Sequence, residues 1–379
     1  MLGFFQDHTI DQIYAYEMLQ KFAFGLIGIF IPIYIASQGS PLQWVFLFLL
    51  VDTVTFMVAA IPVSYFIANI GFKHSLVVSY LFYLPAFIAL QKFGLTLELV
   101  AFSAFFLGIG KALHWIALHA EFAVDSEEDT RGKASGRLLG LPRISRAIAP
   151  FLGGLIMTLY GFNLLISVSV FFMLMSAIPL LASRDHRDPL EYSLRSLVNR
   201  KHAVFGSLFV LRGVTIAAGA YLFPLFVFYV VGGTVNAGGA KSLASLGSVA
   251  FALLIGRVTD SIEKKHMILV GTIASGILFA LRVYVTEPVE AFLVSFVAGL
   301  MFMVYYVPLY STMADWAEDE DVLEFYAFRE VFLCIGRIAT YGLALYVALA
   351  YSIAAGLKAA FMLAAGAATL LALYSRWIK

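Results

Sequence analysis

Along this chain, apolar stretches of roughly 17–28 residues recur about a dozen times, divided by short polar breaks. An α-helix rises ~1.5 Å per residue, so each stretch can cross a hydrocarbon layer ~30 Å thick. Hydropathy puts the stretches near 12–36, 42–68, 75–91, 96–123, 138–160, 162–183, 203–232, 242–259, 267–286, 290–314, 326–352 and 355–377. The predicted fold class is therefore all-α: a polytopic membrane protein with twelve transmembrane helices in two pseudo-symmetric six-helix bundles. The longest polar break, SRDHRDPLEYSLRSLVNRK, falls at the midpoint. It divides the chain into a first bundle over 1–183, a linker over 184–201 and a second bundle over 202–379.

With twelve crossings the breaks alternate between two sides, and their charges do not. One side collects Lys73, Arg131, Lys133, Arg137, Arg184, Arg187, Arg195, Arg200, Lys201, Lys264, Lys265, Arg376 and Lys379, against Lys92, Lys241 and Lys358 on the other. Basic loops stay in the cytoplasm, so both termini are expected there, in an inner or plasma membrane. The N-terminal MLGFFQDHTIDQ has no basic residue and no small-residue cleavage site, so the first span reads as an uncleaved signal-anchor.

Composition narrows the function. Hydrophobic residues make up 61% and charged residues 13%, too apolar for a water-soluble domain. The 25 Lys and Arg are balanced by 24 Asp and Glu, which excludes a polybasic nucleic-acid surface. One cysteine, Cys334, excludes an intramolecular disulfide or a cysteine metal cage and reads as a small core residue. There is no His-Glu-x-x-His, no Gly-x-Ser-x-Gly and no glycine-rich nucleotide cradle, so no catalytic group, metal or cofactor is expected. The aromatic residues read as mostly lipid-facing and interfacial, with Tyr305, Tyr306 and Tyr310 as packing around Pro308.

The halves read as copies in the same direction. Ala120-Glu121-Phe122-Ala123-Val124-Asp125 ends the fourth span, and Ala314-Asp315-Trp316-Ala317-Glu318-Asp319 ends the tenth, 194 positions later. The same offset relates Arg143-Ile144 to Arg337-Ile338, and Pro32 and Pro224 differ by a similar 192. A six-span repeat preserves topology and gives two parallel halves about an axis along the membrane normal, with a site between them.

After the eighth span the chain reads Gly256-Arg257-Val258-Thr259-Asp260-Ser261-Ile262-Glu263-Lys264-Lys265. This resembles the loop signature of the major facilitator superfamily at Gly256, Asp260, Lys264 and Lys265, with Ser261 and Glu263 departing from it. The first-half counterpart, Ser64 to Lys73, keeps only Gly71 and Lys73 and lacks the aspartate. Ala149-Pro150-Phe151-Leu152-Gly153-Gly154 is similar to the Gly-Pro-x-x-Gly-Gly element of antiporter members, with alanine first. The resemblance implies an alternating-access transporter whose bundles rock about a midplane cavity.

Charges within spans are the candidate site, because each needs a partner or a wet cavity. Asp52 lies near the midplane of the second span and is read as a proton-coupling or substrate acid; the competing reading bonds it to Thr53 and Thr55. Lys111 and His114 lie one turn apart on the fourth span, two basic groups that call for an anion. Arg146 and Arg212 add guanidiniums suited to a carboxylate or phosphate, or else snorkel to the boundary. Glu17 and Lys21, spaced i, i+4, are expected to neutralise each other. At the cytoplasmic ends, Glu121 with Arg143 and Asp315 with Arg337, joined by Asp260 and the Gly256, Lys264 and Lys265 of its loop, are the candidate gate.

The expected function is a secondary transporter, not an enzyme, moving a small organic solute, anionic or zwitterionic, with protons as the coupling ion and the bilayer as its surroundings. A monomer is expected. Two rivals remain: an intramembrane prenyltransferase holding Mg²⁺ on Asp125-x-x-x-Asp129 and Asp315-x-x-x-Asp319, and a transporter-like receptor that moves nothing.

Overall fold

The computed structural model describes residues 9–92, 95–125, 131–181, 200–258, 263–318 and 322–377, with side-chain surroundings for 15–91, 95–121, 144–180, 205–251, 263–313, 316–317 and 322–375. Among these residues the chain folds into twelve helical rods. The first half is α1 (Thr9–Ile27, continued by Phe30–Ser37), α2 (Leu42–Ile70), α3 (Phe72–Lys92), α4 (Leu97–Asp125), α5 (Arg131–Tyr160) and α6 (Phe162–Leu181). The second is α7 (Arg200–Ile216, continued through Val227–Gly232), α8 (Thr234–Val258), α9 (Lys264–Leu281), α10 (Pro288–Glu318), α11 (Val322–Ala350) and α12 (Ile353–Leu371).

Ten of these helices are long and apolar enough to cross a membrane, and Ile144–Tyr160 of α5 is a shorter apolar one. Their outer faces keep large apolar side chains exposed, such as Val58, Leu81, Phe171, Ile277 and Leu363, as a lipid-facing surface requires. The largest fully buried side chains are all tyrosine or phenylalanine, including Tyr16, Phe30, Tyr310 and Tyr341. The expectation of mostly lipid-facing aromatics is thereby corrected: flat rings fill the space between crossing rods. Cys334 is buried.

The repeat is visible in the packing. In the first half α1 packs on α5 and α6, α4 on α2 and α3, and α3 on α6; in the second half α7 packs on α11 and α12, α10 on α8 and α9, and α9 on α12. The halves meet through α5 against α8 and α2 against α11, again a symmetric pair. Glycine makes the first of these close: a Cβ on Gly238 would stand 2.2 Å from the Pro150 carbonyl oxygen, and one on Gly154 2.7 Å from that of Thr234. The Ala149–Gly154 element is thus a two-sided contact surface, with Gly153 pressed against α1 at the Leu26 carbonyl.

The two offset prolines both mark irregular helix. α1 breaks at residues 28–29, ahead of Pro32, and α7 widens into i→i+5 turns over Ala217–Leu222 and Val227–Gly232, on either side of Pro224. Proline has no N–H to donate four residues back, so the Ala220 carbonyl is left open, and Lys241 Nζ donates to it at 3.3 Å. α8 begins at Thr234, not near 242 as hydropathy places it, because the polar, glycine-containing Thr234–Lys241 segment packs on α5 rather than facing lipid.

Candidate functional site

Between the halves lies a cavity of about 350 Å³, lined from α1, α4, α5 and α7 to α11. Its basic side chains from the first half are Lys21, Lys111 and Arg146. From the second half come Arg212, Lys241, Arg282, Arg329 and Arg337, and the lining acids are Glu17 and Glu330. Eight cations against two carboxylates make a strongly positive enclosure in a low-dielectric setting.

On the first-half wall, Lys111 Nζ donates to Asp52 Oδ2 at 2.6 Å, with both side chains largely buried. Asp52 Oδ1 has no hydrogen-bond partner among the described residues, and Thr53 is occupied with its own helix, donating to the Leu49 carbonyl at 2.7 Å. The Lys111 ammonium also lies 5.5 Å from the Tyr221 ring centroid, so it touches both halves. Lys111 and His114 do not share a partner: His114 Nδ1 is 2.8 Å from the Tyr16 hydroxyl, and its Nε2 is 3.6 Å from Glu17. Glu17 holds Lys21 at 2.9 Å, and the Lys21 ammonium sits 4.0 Å above the Trp115 ring. Arg146 lines the cavity.

The second-half wall is built of guanidiniums and rings. Arg212 Nη1 donates to the Tyr305 hydroxyl at 2.9 Å and to Thr215 at 3.1 Å, and its head lies 4.4 Å from the Tyr306 ring centroid. Tyr305, Tyr306 and Tyr310 all line the cavity, so their role is not packing alone. Arg329 donates to Glu330 at 2.5 Å, and Arg337 lies 3.8 Å from the same carboxylate. Arg282 is held between Phe223 and Phe279, 4.4 and 4.5 Å from their centroids.

Toward the C-terminal end of α4, the halves are joined by a buried polar contact. His119 Nδ1 lies 2.7 Å from the Tyr310 hydroxyl, and the His119 ring stacks on Trp115 and on Tyr326 of α11. His119 and Tyr310 both line the cavity.

Of the expected gate residues, Glu121 is buried 3.8 Å from Lys73, and Arg337 stands at mid-helix in the cavity wall. Lys264 and Lys265 open α9 on the surface, where Lys265 bonds Glu263 at 2.6 Å and holds that carboxyl below the usual range. The side chains of Arg143, Asp315 and Asp260 lie outside the described residues, as do the surroundings of Gly256 and the aspartates of the Asp-x-x-x-Asp pairs. Among the described residues no group of acids, histidines or cysteines could hold a metal ion.

Sequence reasoning missed Lys241, Arg282, Arg329, Glu330 and His119. The rule that singled out Asp52 applies equally to Arg329 and Glu330, both inside an apolar stretch. Arg282 and Lys241 stood too near the expected span ends to be noticed, and His119 differs from a packing histidine only by its partner on the other half.

The family model "Major Facilitator Superfamily" matches residues 16–238. Among solved structures, the crystal structure of the human organic anion transporter MFSD10 (TETRAN) superposes with a TM-score of 0.69 at 11% identity, covering 97% of this chain and 98% of that one. No curated protein matches. The duplicated helix packing, the inter-half cavity and the match over more than half of the chain agree: the protein belongs to the Major Facilitator Superfamily of membrane transporters.

Proposed function

We propose that the protein is a secondary transporter of small organic anions, coupled to protons through Asp52 and Lys111. The observation that carries this reading is the charge imbalance of the cavity, eight lining cations against three carboxylates, Glu17, Glu330 and the Asp52 that pairs with Lys111. A low-dielectric enclosure holding that excess is stabilised by an anion and disfavours a cation. The resemblance of fold to an organic anion transporter agrees with it without identifying a substrate.

The coupling follows from the 2.6 Å pair. While Asp52 is ionised it occupies the Lys111 ammonium; once protonated it releases that ammonium to a substrate carboxylate. Proton and anion then enter the site together, and the loaded site carries less unpaired charge than the site with either alone. Alternating access would be rocking of the six-helix groups, 1–183 and 202–379, about the α5–α8 and α2–α11 seams. The His119–Tyr310 contact and the Glu121–Lys73 pair must rearrange when the terminal face opens, and Asp260 with Asp315, Arg143 and Arg337 remains the proposed charge gate there. The lysine and arginine bias of the loops supports a cytoplasmic location for both termini. A monomer contains the whole cavity.

The test is uptake of radiolabelled organic anions into proteoliposomes under an imposed pH gradient, comparing wild type with Asp52→Asn. Uptake driven by the inside-alkaline gradient in wild type and insensitive to it in the variant is expected. Equal uptake by both, with or without the gradient, would remove proton coupling at this residue. Binding without flux would identify a receptor.

A further inference from the structure

Four of the eight cavity cations have carboxylates: Lys21 has Glu17, Lys111 has Asp52, and Arg329 and Arg337 share Glu330. Of the three guanidiniums outside this pairing, Arg146 is half-buried and Arg212 and Arg282 are buried. Arg212 and Arg282 form no ion pair among the described residues, although only 5% and 6% of each residue is exposed. Arg212 Nε, and both Nε and Nη1 of Arg282, have no hydrogen-bond partner among the described residues. An unpaired charge buried in this way costs several kcal/mol, and a bound anion would offset that cost.

We infer that Arg212 and Arg282 form a two-point anion site that selects organic dianions over monoanions, an inference that rests on the organic-anion reading above. Both heads are anchored against α7: Arg212 bonds Thr215, and Arg282 Nη1 would lie 3.3 Å from a Cβ on Gly219. Four to seven residues of α7 separate these anchors, so the heads are ~6–10 Å apart along the helix at ~1.5 Å per residue. A short dicarboxylate reaches both. Each guanidinium can present two parallel N–H groups to one carboxylate, a geometry an ammonium lacks.

The rings specify what lies between the charges. Phe279 and Phe223 flank Arg282, and Phe302, Tyr305 and Tyr306 surround Arg212. They offer an apolar surface to a hydrocarbon spacer while holding each guanidinium in a fixed plane. Gly219 leaves room for the Arg282 head, since a Cβ there would already stand 3.3 Å from Nη1 and 3.4 Å from Phe279 and a larger side chain would crowd both.

The experiment uses the purified full chain in detergent and follows tryptophan fluorescence, since Trp115 lines the cavity. The probes are α,ω-dicarboxylates from succinate to suberate and straight-chain monocarboxylates of matching length. Wild type should bind its best dicarboxylate at least about tenfold more tightly than the matching monoanion, as expected for one additional charge-assisted contact. Arg282→Gln and Arg212→Gln should each lower dicarboxylate affinity about tenfold or more and bring the ratio near one, with Arg282→Lys intermediate.

The ligand-free unfolding midpoint of Arg282→Gln should hold or rise, because the change deletes a buried unpaired charge. A fall of more than about 5 °C would make the guanidinium a structural element and overturn the inference. So would a variant that keeps the wild-type ratio, or a wild type that does not discriminate. If wild type favours no dianion yet takes up monoanions in vesicles, this inference fails and the organic-anion reading stands. If no organic anion binds or moves at all, both fail.

Discussion

Asp52→Asn isolates the Asp52–Lys111 pair, because it removes one charge and keeps the side chain's shape. The carboxylate is 6% exposed, and its partner ammonium lies 2.6 Å away on a side chain 16% exposed. At an effective dielectric near 20, two charges at that separation attract by about 6 kcal/mol. Cavity water reaching Lys111 screens part of this, which brings the expected loss to ~3 kcal/mol, the lower end for breaking a buried pair. With an unfolding entropy of ~2 cal/mol/K per residue, a chain of this length loses about 4 °C of unfolding midpoint. The double variant Asp52→Asn/Lys111→Gln should recover most of that, since it leaves no orphaned charge, and a double-mutant cycle should return a coupling of ~2–3 kcal/mol. Differential scanning fluorimetry of detergent-purified protein measures all four members. Saturating organic anion should shrink the deficit of the single variant by supplying the missing negative charge. An unchanged midpoint for Asp52→Asn, or a double variant less stable than the single, would refute the pairing argument.

Glu330→Gln should lower the unfolding midpoint by a similar few degrees, because it leaves Arg329 and Arg337 facing each other. It should also tighten anion binding severalfold in the fluorescence titration, since it removes a carboxylate from the cavity wall. Tyr310→Phe deletes the 2.7 Å contact to His119 and should cost about 1 kcal/mol of the terminal-face-closed state, roughly a fivefold population shift. Spin labels across α4 and α10, read by pulsed dipolar spectroscopy, should show the more open distances gaining weight. Gly238→Val puts a side chain where Pro150 O stands 2.2 Å away, so size-exclusion chromatography should show loss of the monodisperse protein rather than a mild shift.

The number and order of the rods were legible because crossing a bilayer demands an apolar length that hydropathy measures directly. The repeat was legible because Glu121 and Asp315, or Pro32 and Pro224, stand at nearly constant offset. Rotation about each helix was not. Lys111 and His114 are one turn apart, which suggested a shared anion, yet Lys111 reaches α2 and the cavity while His114 turns to Tyr16 on α1. A pattern that is apolar nearly all round carries no marked polar face to fix that angle. The start of α8 was misplaced for a related reason: Asn236, Gly238 and Gly239 lower hydropathy, and the value of the two glycines lies in close approaches that only packing reveals, Gly238 to Pro150 on α5 and Gly239 to Phe292 on α10. Arg282 was invisible because depth, judged from the nearest break, put it at the surface, whereas its side chain is folded inward between two phenylalanines.

The scaffold is doubled and the charge is not. At the 194-residue offset, Lys111 corresponds to Tyr305, Asp52 to Leu246 and Arg282 to Ile88. Helix pairing survives such divergence because it depends on length and small residues at crossings, which either half supplies. The site gains from divergence, because two identical walls could only hold like charges against like. Under the proposed function the first-half wall carries the aspartate–lysine pair, which a proton can open, and the second-half wall carries arginines that stay charged at any physiological pH. An anion lying between them is bound to the second half at all times, and to the Lys111 ammonium of the first half only when Asp52 is protonated. The proton therefore decides whether the substrate bridges both halves, and bridging is what makes the loaded protein move as one cycle rather than leak. Moving the acid to the other wall, as in Asp52→Asn with Ser245→Asp at a cavity-lining position of α8, should abolish gradient-driven uptake although the number of carboxylates is unchanged; retention of coupled uptake would mean that charge count alone, and not its division between the halves, governs the cycle.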